Sequence, residues 1–325
     1  MRWGIPDRSN TPTSPSRRFA PGPSLSALKR GEGKFGGPPR IVYVYLAVIV
    51  VTWAGNWPLM KLALDDAPPL VFVLLRLIGT VVLMAPLLAA MRVQLLPIPG
   101  ERLGLFWVGQ FQVAGFLLFA IVGLAIEAPG RAIVLAYTFS LWAIPIGILL
   151  GVERLGRFHL IGAAIGFAGL LLFMNPGLVD WSSGRTLLGN AFLLLSAIAW
   201  AFGSCLYRRR IWRTGFWTQT FWQLVVSAPV VLAFALPQIT DEPIHWSVSL
   251  VAILAYNWIV TTALGYFLWA LVLTAMPATT AGQVLALTPV GGFLLSTVIF
   301  GGAVSADVIA SIVLIVAGII LTLRA

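Results

Sequence analysis

Charged side chains and cysteine are both scarce in this sequence. Only 10% of the 325 residues are charged, whereas a soluble domain carries about 25%. Water is therefore not the solvent for most of the protein surface. The one cysteine, Cys205, excludes an internal disulfide framework, and the two histidines do not pair with it at metal-ligand spacing. Neither a metal nor another cofactor is expected.

The formal net charge of +10 does not indicate a nucleic-acid-binding protein. Such proteins concentrate basic residues on one exposed face, whereas here they lie in an N-terminal tail and in short gaps between apolar runs. The tail, residues 1–40, contains seven prolines and eight Lys or Arg, and it has no apolar face that could build a core. We expect it to be a disordered, basic, cytoplasmic segment.

Ten apolar segments are long enough to cross a bilayer as helices. A helix needs about 20 residues to span about 30 Å of hydrocarbon, and the runs lack the alternation of a transmembrane β-barrel. The predicted spans are residues 41–61, 69–91, 103–124, 128–150, 157–175, 186–206, 216–237, 247–273, 278–300 and 306–323. The expected fold class is an all-α integral membrane protein with ten transmembrane helices.

The placement of Lys and Arg predicts the orientation in the membrane. If the N-terminus is cytoplasmic, 17 basic residues lie inside, 3 lie outside, and Arg76 lies within a span. Both termini are therefore predicted to be cytoplasmic, in what we expect to be a bacterial inner membrane.

The two halves of the chain resemble each other. Residues 115–138 align with residues 265–288 at a shift of 150, with ten identities in 24 positions, and a shift of 147 aligns Trp53 with Trp200. Each half holds five predicted spans, and an odd number reverses the direction in which the second half enters the membrane. The sequence therefore predicts two inverted repeats, an arrangement typical of alternating-access transporters.

Several stretches resemble the EamA domain of the drug/metabolite transporter superfamily. They are residues 53–88, which begin WAGNWPLMKLALDD, and residues 135–173, which contain the turn GVERL; residues 285–323 repeat the second stretch. The resemblance covers about residues 41–324, as repeats at 41–175 and 186–324. It implies exporters of amino acids and related metabolites as the most populated class.

The sequence departs from the family pattern at two places. The turn glutamate is present as Glu153 but becomes Ala303 in the second half, and the proline of the fourth helix stands as Pro289 in the second half but is Phe139 in the first. Both departures are interpreted as structural drift, although the proline bears on where the helix breaks.

Arg76 is the one charged residue well inside a predicted span. It lies about seven residues into the second span, or about 10 Å deep, and its repeat equivalent is the neutral Gln223. Buried ionisable groups in membranes are functional candidates, so Arg76 could receive a substrate carboxylate. Alternatively, its side chain extends to the outer interface or pairs with Asp65 or Asp66.

Amides, hydroxyls and aromatic rings are dense in several other spans, and we interpret them as candidates for a substrate cavity. An amide facing lipid would lack a hydrogen-bond partner. Interhelical hydrogen bonds and interfacial aromatic belts are the alternative reading of each residue. The candidates beside Arg76 are Asn56, Trp57, Gln110, Tyr137, Trp142, Trp200, Ser204, Gln223, Tyr256, Asn257, Tyr266, Trp269 and Gln283. A lining of this kind suits a zwitterion with an apolar side chain or a flat aromatic solute.

Two spans lack such residues. The fifth carries a face of small residues, Gly162, Gly166 and Gly169, suited to close helix packing. We expect the fifth and tenth spans to be scaffold. A monomer is expected, and a homodimer through these helices is left open.

The position of the acids bears on energy coupling. All eleven Asp and Glu lie in the tail, in loops or near span ends, so no midplane carboxylate is available to carry a proton. We therefore expect a facilitative exporter of amino acids, including apolar or aromatic ones, and related small metabolites, working by alternating access in membrane lipid.

Three alternatives remain at this stage. They are a proton-coupled multidrug antiporter, a phosphorylated-metabolite or nucleotide-sugar exchanger, and a membrane-embedded enzyme. The last is disfavoured because the spans place no nucleophile beside a base or metal cluster, and no catalytic residue is expected.

Overall fold

The computed structural model describes residues 38–153, 156–174, 182–241, 243–300 and 305–324. The basic tail predicted at residues 1–40 lies outside the described residues except for its last three positions. The described part contains helices and no strand. The helices are α1 (Arg40–Ala63), α2 (Pro69–Ala90), α3 (Pro99–Ile126), α4 (Pro129–Leu149), α5 (Arg157–Met174), α6 (Gly184–Arg208), α7 (Phe216–Asp241), α8 (Val248–Ala275), α9 (Ala278–Leu285 continued by Leu287–Phe300) and α10 (Ala306–Leu323).

The helices match the predicted spans in number and order. Within the described residues, nine are long and apolar enough to cross a membrane, and α5 has a shorter apolar stretch, Arg157–Phe173. Large apolar side chains such as Val248, at 89% exposure, and Leu149, at 82%, are exposed on the outside of the bundle. Lipid is the solvent that makes this exposure favourable, so the chain is an all-α integral membrane protein.

The helix contacts follow a two-fold pattern. Helix α1 packs on α8 and α9, α6 packs in the equivalent way on α3 and α4, α2 packs on α7, and α5 packs on α10. Exchanging the two halves therefore maps each of these contacts onto another or onto itself. Since each half contains five helices, the halves run in opposite directions, and the axis that relates them lies in the membrane plane.

Irregular segments also occur at equivalent positions. Gly109–Gly115 in α3 and Asn257–Leu264 in α8 are π-helical, a conformation that is rare and frequent at functional sites. Helix α4 breaks after Ala136, and α9 breaks after Leu285. Pro289 explains the second break, because it has no N–H to donate to the Leu285 carbonyl.

The break in α4 occurs without a proline. Phe139 holds the position equivalent to Pro289, and the Thr138 hydroxyl instead donates to the Leu135 carbonyl at 2.6 Å. The proline difference noted in the sequence therefore does not remove the break.

Glycines bring α5 and α10 into close contact. A Cβ added at Gly318 would lie 2.6 Å from the Gly162 carbonyl oxygen, and one added at Gly169 would lie 2.9 Å from the Ile315 amide nitrogen. Such close approach maximises dispersion between helices in lipid. As expected from the sequence, these two helices support the bundle from outside the region described next.

Candidate functional site

A small cavity lies between α1, α2, α3, α4, α6 and α8. We call it the central cavity. Its volume is about 30 Å³, which is room for one or two water molecules. The lining residues are Trp53, Asn56, Trp57, Met60, Val73, Arg76, Phe116, Leu117, Ala120, Ile121, Tyr137, Trp200 and Tyr266. Both repeats therefore contribute to it.

Arg76 supplies the positive charge of the cavity. Its Nε donates to the Thr262 hydroxyl at 2.7 Å, Nη2 donates to the Thr261 hydroxyl at 3.4 Å, and Nη1 contacts the Met60 sulfur at 3.5 Å. The side chain is only 4% exposed, so it does not extend to the interface.

The guanidinium has no anionic partner among the described residues, where ion pairs join Arg131 to Glu127 and Arg208 to Glu153. Asp66, one of the partners considered from the sequence, accepts instead from the Ser247 hydroxyl. Burying a cation against two hydroxyls and a thioether leaves most of its desolvation cost uncompensated. An anion that enters this cavity would be stabilised by that charge.

Two further polar atoms of the lining lack partners within the described residues. They are Oδ1 of Asn56 and Nε1 of Trp200, and both are buried. An amide and an indole in this state are ready to accept and to donate a hydrogen bond to a ligand. Together with Arg76, they give the cavity a cation, an acceptor and a donor.

An aromatic cluster closes the cavity on one side. Trp200 packs with ring centroids 4.7 Å from Phe116, 5.3 Å from Trp53, 5.5 Å from Tyr266 and 5.7 Å from Trp269. Trp53 and Trp200 are the pair aligned by the internal repeat, so they meet where the two halves meet. We call this cluster the aromatic floor.

A small hydrogen-bonded group lies beyond the floor. The Ser204 hydroxyl accepts from Gln112 Nε2 at 2.9 Å and from Trp269 Nε1 at 3.4 Å. These polar groups satisfy one another, in contrast to those of the central cavity.

Six of the fourteen candidates from the sequence line the cavity: Arg76, Asn56, Trp57, Tyr137, Trp200 and Tyr266. Trp269 is part of the aromatic floor, and Ser204 lies beyond it. The structure places the other six elsewhere. Gln110 donates to the Val226 carbonyl, Tyr256 donates to the Thr52 carbonyl, and Gln283 accepts from Thr322.

The last three candidates outside the cavity have other surroundings. Asn257 bonds within α8 to Ile253 and Thr261, Gln223 is buried where α7 meets Gly109 of α3, and Trp142 is half-buried. Three of the six, Gln110, Tyr256 and Gln283, form the interhelical hydrogen bond considered as the alternative.

Sequence reasoning missed Trp53, Met60 and the two threonines that hold Arg76. Trp53 and Met60 share a helical face with Asn56 and Trp57, since the spacing is three, four and seven residues, and this stripe was available as a signal. The pairing of Arg76 with Thr262 could not be predicted from the sequence, because the two residues lie 186 positions apart.

The bundle is closed at its two ends by equivalent contacts. At the end where α1 terminates, Lys61 Nζ donates to the carbonyls of Leu124 at 2.8 Å, Ala125 at 3.3 Å and Glu127 at 3.3 Å, at the end of α3. We call this the Lys61 end. A cation there also complements the negative pole of the helix.

At the opposite end, Arg208 of α6 donates in the same way to the carbonyls of Leu273, at 2.7 Å, and Met276, at the end of α8. We call this the Arg208 end. Here the buried Glu153 also accepts from the amide of Ala278 at 2.6 Å and from the amide and hydroxyl of Thr279. It thereby connects the first repeat to the start of α9 in the second.

No carboxylate that the structure describes lines the central cavity. Glu127, singled out from the sequence as the acid nearest to a cavity, pairs with Arg131 one turn along its own chain and packs against Gly189. The described residues also contain no group of three His, Cys, Asp or Glu placed to hold a metal ion.

Two inverted five-helix repeats with a cavity lined by both repeats are the architecture of a membrane transporter. The profile of the EamA-like transporter family matches residues 40–175 and 187–324. The chain belongs to this family.

Curated relatives agree with the class. The chain is similar to the uncharacterized transporter YoaV of Bacillus subtilis, with 25% identity over 77% of this chain and 86% of the relative. It is also similar to a protein of Salmonella typhimurium named probable amino-acid metabolite efflux pump, with 26% identity over 84% of this chain and 91% of the relative. One solved crystal structure shares the fold, with a TM-score of 0.71, 20% identity, and coverage of 87% of this chain and 96% of that one.

Proposed function

We propose that this transporter exports amino acids, including apolar and aromatic ones, and related small metabolites, by facilitated alternating access. The observation that carries the proposal is the Arg76 guanidinium, which is buried in the central cavity beside hydroxyls and a sulfur and without a carboxylate partner among the described residues. A substrate carboxylate would supply the missing anion and form charge-assisted hydrogen bonds.

The rest of the cavity suits the remainder of an amino acid. The Asn56 amide oxygen can accept from an α-ammonium group, and the rings of Trp53, Trp57 and Tyr137 provide faces for cation–π contact. Leu117 and Ile121 supply apolar surface. The name of the Salmonella relative supports the same substrate class.

A single cation argues against the phosphorylated-metabolite alternative. A phosphate carries up to two negative charges and is usually held by several basic groups, whereas Arg76 is the one basic residue in the lining. The proton-coupled alternative would want a titrating carboxylate in the cavity, and none of the described ones is there.

The small volume of the central cavity supports alternating access. A volume of about 30 Å³ admits no amino acid, so the bundle must open at the Lys61 end or the Arg208 end for substrate to enter. The excess of Lys and Arg supports a cytoplasmic Arg208 end, with both termini cytoplasmic, in a bacterial inner membrane. We propose that the transporter functions as a monomer.

Counterflow in proteoliposomes tests the proposal. Vesicles loaded with an unlabelled amino acid should accumulate the same labelled one, and a panel of amino acids identifies the substrates. Arg76→Gln should lower the rate about 100-fold, because truncating one partner of a buried charge pair costs about 2–5 kcal/mol. Arg157→Gln, at an exposed arginine that stacks on Phe158, is the matched control and should transport normally. Equal transport by Arg76→Gln and the wild type would contradict the proposal.

The proposal that transport is facilitative has a separate test. A protonophore should leave counterflow unchanged, and an imposed pH gradient should drive no uphill accumulation of an electroneutral zwitterion. Gradient-driven accumulation that is lost in Glu127→Gln would instead identify Glu127 as a proton-coupling site.

A further inference from the structure

A second and larger cavity lies at the Lys61 end, between α1, α4 and α9. We call it the side pocket. Its volume is about 320 Å³, and its lining is mainly apolar, with Pro58 and Leu62 from α1, Ile133 from α4 and Phe293 from α9. Lys61 is the one charged residue in this lining, and its ammonium group is engaged by the carbonyls at the end of α3. The side pocket is large enough for the side chain of any amino acid.

Trp57 forms a wall of both cavities. The residue is in the lining of the central cavity and in that of the side pocket. The residue is 3% exposed and its ring lies edge-on to Tyr137, with centroids 6.4 Å apart. The indole therefore stands between the group that binds a carboxylate and the larger apolar space.

Helix α1 is built to flex at this wall. Pro58 follows Trp57 directly and has no N–H to donate to the Ala54 carbonyl, which weakens the helix at this turn. On the facing helix α9, a Cβ added at Gly292 would lie 3.0 Å from the Ala54 oxygen. The close crossing holds α1 below Trp57, so that bending at Pro58 moves the indole relative to the side pocket.

The central cavity and the side pocket differ in volume and in polarity. The central cavity has polar groups for the head of an amino acid but about 30 Å³ of space, whereas the side pocket has about 320 Å³ of space and apolar walls. A substrate whose carboxylate is held by Arg76 needs a place for its side chain.

We propose that Trp57 is the specificity-determining partition of the transporter, and that its displacement admits the substrate side chain to the side pocket. This inference rests on the proposed function. The occupant of the side pocket is the apolar side chain of the transported amino acid, because the pocket shares a wall with the cavity that holds the charge. Preference for longer side chains follows from the apolar surface that the pocket buries.

Filling the side pocket tests the inference. Gly130 lines the pocket, and a Cβ added there would meet no atom within 4 Å, so a side chain can start at this position without strain and Gly130→Phe is the variant chosen to fill the pocket. Gly184, at the start of α6, is equally open but lies outside the pocket, which makes Gly184→Phe the matched control.

The probes are alanine, norvaline and norleucine, which differ in chain length alone. Counterflow rate and ligand-induced thermal stabilisation are measured for each. In the wild type and in Gly184→Phe, norleucine should be favoured over alanine by about tenfold. In Gly130→Phe the preference should fall to within about twofold, with the alanine values retained. Trp57→Ala should shift the preference by about tenfold toward tryptophan relative to alanine.

The outcomes separate this inference from the proposed function. If no amino acid is transported or stabilises the wild type, the proposed function fails. If amino acids act but Gly130→Phe keeps the norleucine preference, or lowers alanine and norleucine equally, the side pocket does not receive the side chain. A side pocket that is occupied by lipid would not change the norleucine preference when it is filled in Gly130→Phe, and that result would overturn the inference.

Discussion

The Lys61 end and the Arg208 end are closed by the same kind of contact, a basic side chain that donates to helix carbonyls, but they are not equally closed. Lys61 and Arg208 occupy equivalent positions under the repeat shift of 147, and each donates to the last carbonyls of the equivalent helix, α3 or α8. At the Arg208 end, Glu153 adds a buried carboxylate that bonds to Ala278 and Thr279 across the two repeats.

The Lys61 end has no equivalent of these Glu153 contacts. At the repeat shift of 150, the position of Glu153 corresponds to Ala303, which has no carboxylate, and Thr279 corresponds to Pro129, which has neither an amide hydrogen nor a hydroxyl.

The comparison teaches that the shared cations close each end within its repeat. Asp66, which accepts from Ser247, joins the repeats near the Lys61 end, and Glu101, which accepts from the amides of Arg213 and Thr214, joins them near the Arg208 end. Glu153 is an additional, asymmetric link between the repeats at the Arg208 end. We therefore expect the Arg208 end to open less readily than the Lys61 end.

Removing that acid should have the largest effect on the comparison. Cys205 is the sole cysteine, is fully buried, and lies on α6 about 7 Å from Trp200 toward the Arg208 end. It therefore reports opening at this end through its rate of alkylation by a maleimide. Glu153→Ala should raise that rate about 100-fold, because hydrogen bonds to a charged group contribute about 1.5–3 kcal/mol each.

Glu153→Gln should raise the rate less, since the amide oxygen still accepts a hydrogen bond. Glu127→Ala, which removes the buried carboxylate of the other end, is the control. An unchanged alkylation rate in Glu153→Ala would show that this acid does not keep the Arg208 end closed.

Loosening the Lys61 end should have an intermediate effect. In a Cys205→Ser background, Met60→Cys places a buried reporter beside Arg76 near this end. Adding Lys61→Met should raise its alkylation about tenfold, less than the effect of Glu153→Ala, since the lost bonds lie within one repeat and do not join the two repeats. Arg208→Met should leave this reporter unchanged, and an equal response to both substitutions would mean that the two ends do not open separately.

The smallest effect is expected for Glu127→Gln. Its carboxylate pairs with Arg131 four residues along the chain and not with the other repeat, and the glutamine amide oxygen can still accept a hydrogen bond from Arg131. Alkylation of Cys205, and of a cysteine at position 60, should change by less than about twofold. A large change at either reporter would give Glu127 a role in closure that its contacts do not indicate.

The helices were predictable from the sequence because lipid demands long apolar runs and the repeat doubles the signal. Arg76 was also predictable, since a charge within such a run is costly. Which polar residues meet it was not, because Thr261 and Thr262 reach Arg76 only through the packing of α8 on α2. Gln110 and Gln283 illustrate the opposite error, because both were predicted to line the cavity and do not. An amide within a span has the same sequence pattern whether it bonds to a neighbouring helix or faces a cavity.

The role of Glu153 was hidden for a similar reason. As a turn residue that became Ala303 in the second half, it read as structural drift. Its bonds to the start of α9 depend on bringing together residues 125 positions apart, which one sequence does not reveal.

The account depends most on the claim that the buried Arg76 charge awaits a carboxylate. Leucine and leucinamide share a side chain and an ammonium group, but leucinamide lacks the carboxylate. Their effects on the thermal unfolding of the purified protein, wild type and Arg76→Gln, test the claim directly. Leucine at about 100 times its Kd should stabilise the wild type by about 2.7 kcal/mol, leucinamide should not, and neither should stabilise Arg76→Gln.

Without ligand, Arg76→Gln should be at least as stable as the wild type, because it removes a buried unpaired charge. Equal stabilisation by leucine and leucinamide, or stabilisation of Arg76→Gln by leucine, would contradict the account.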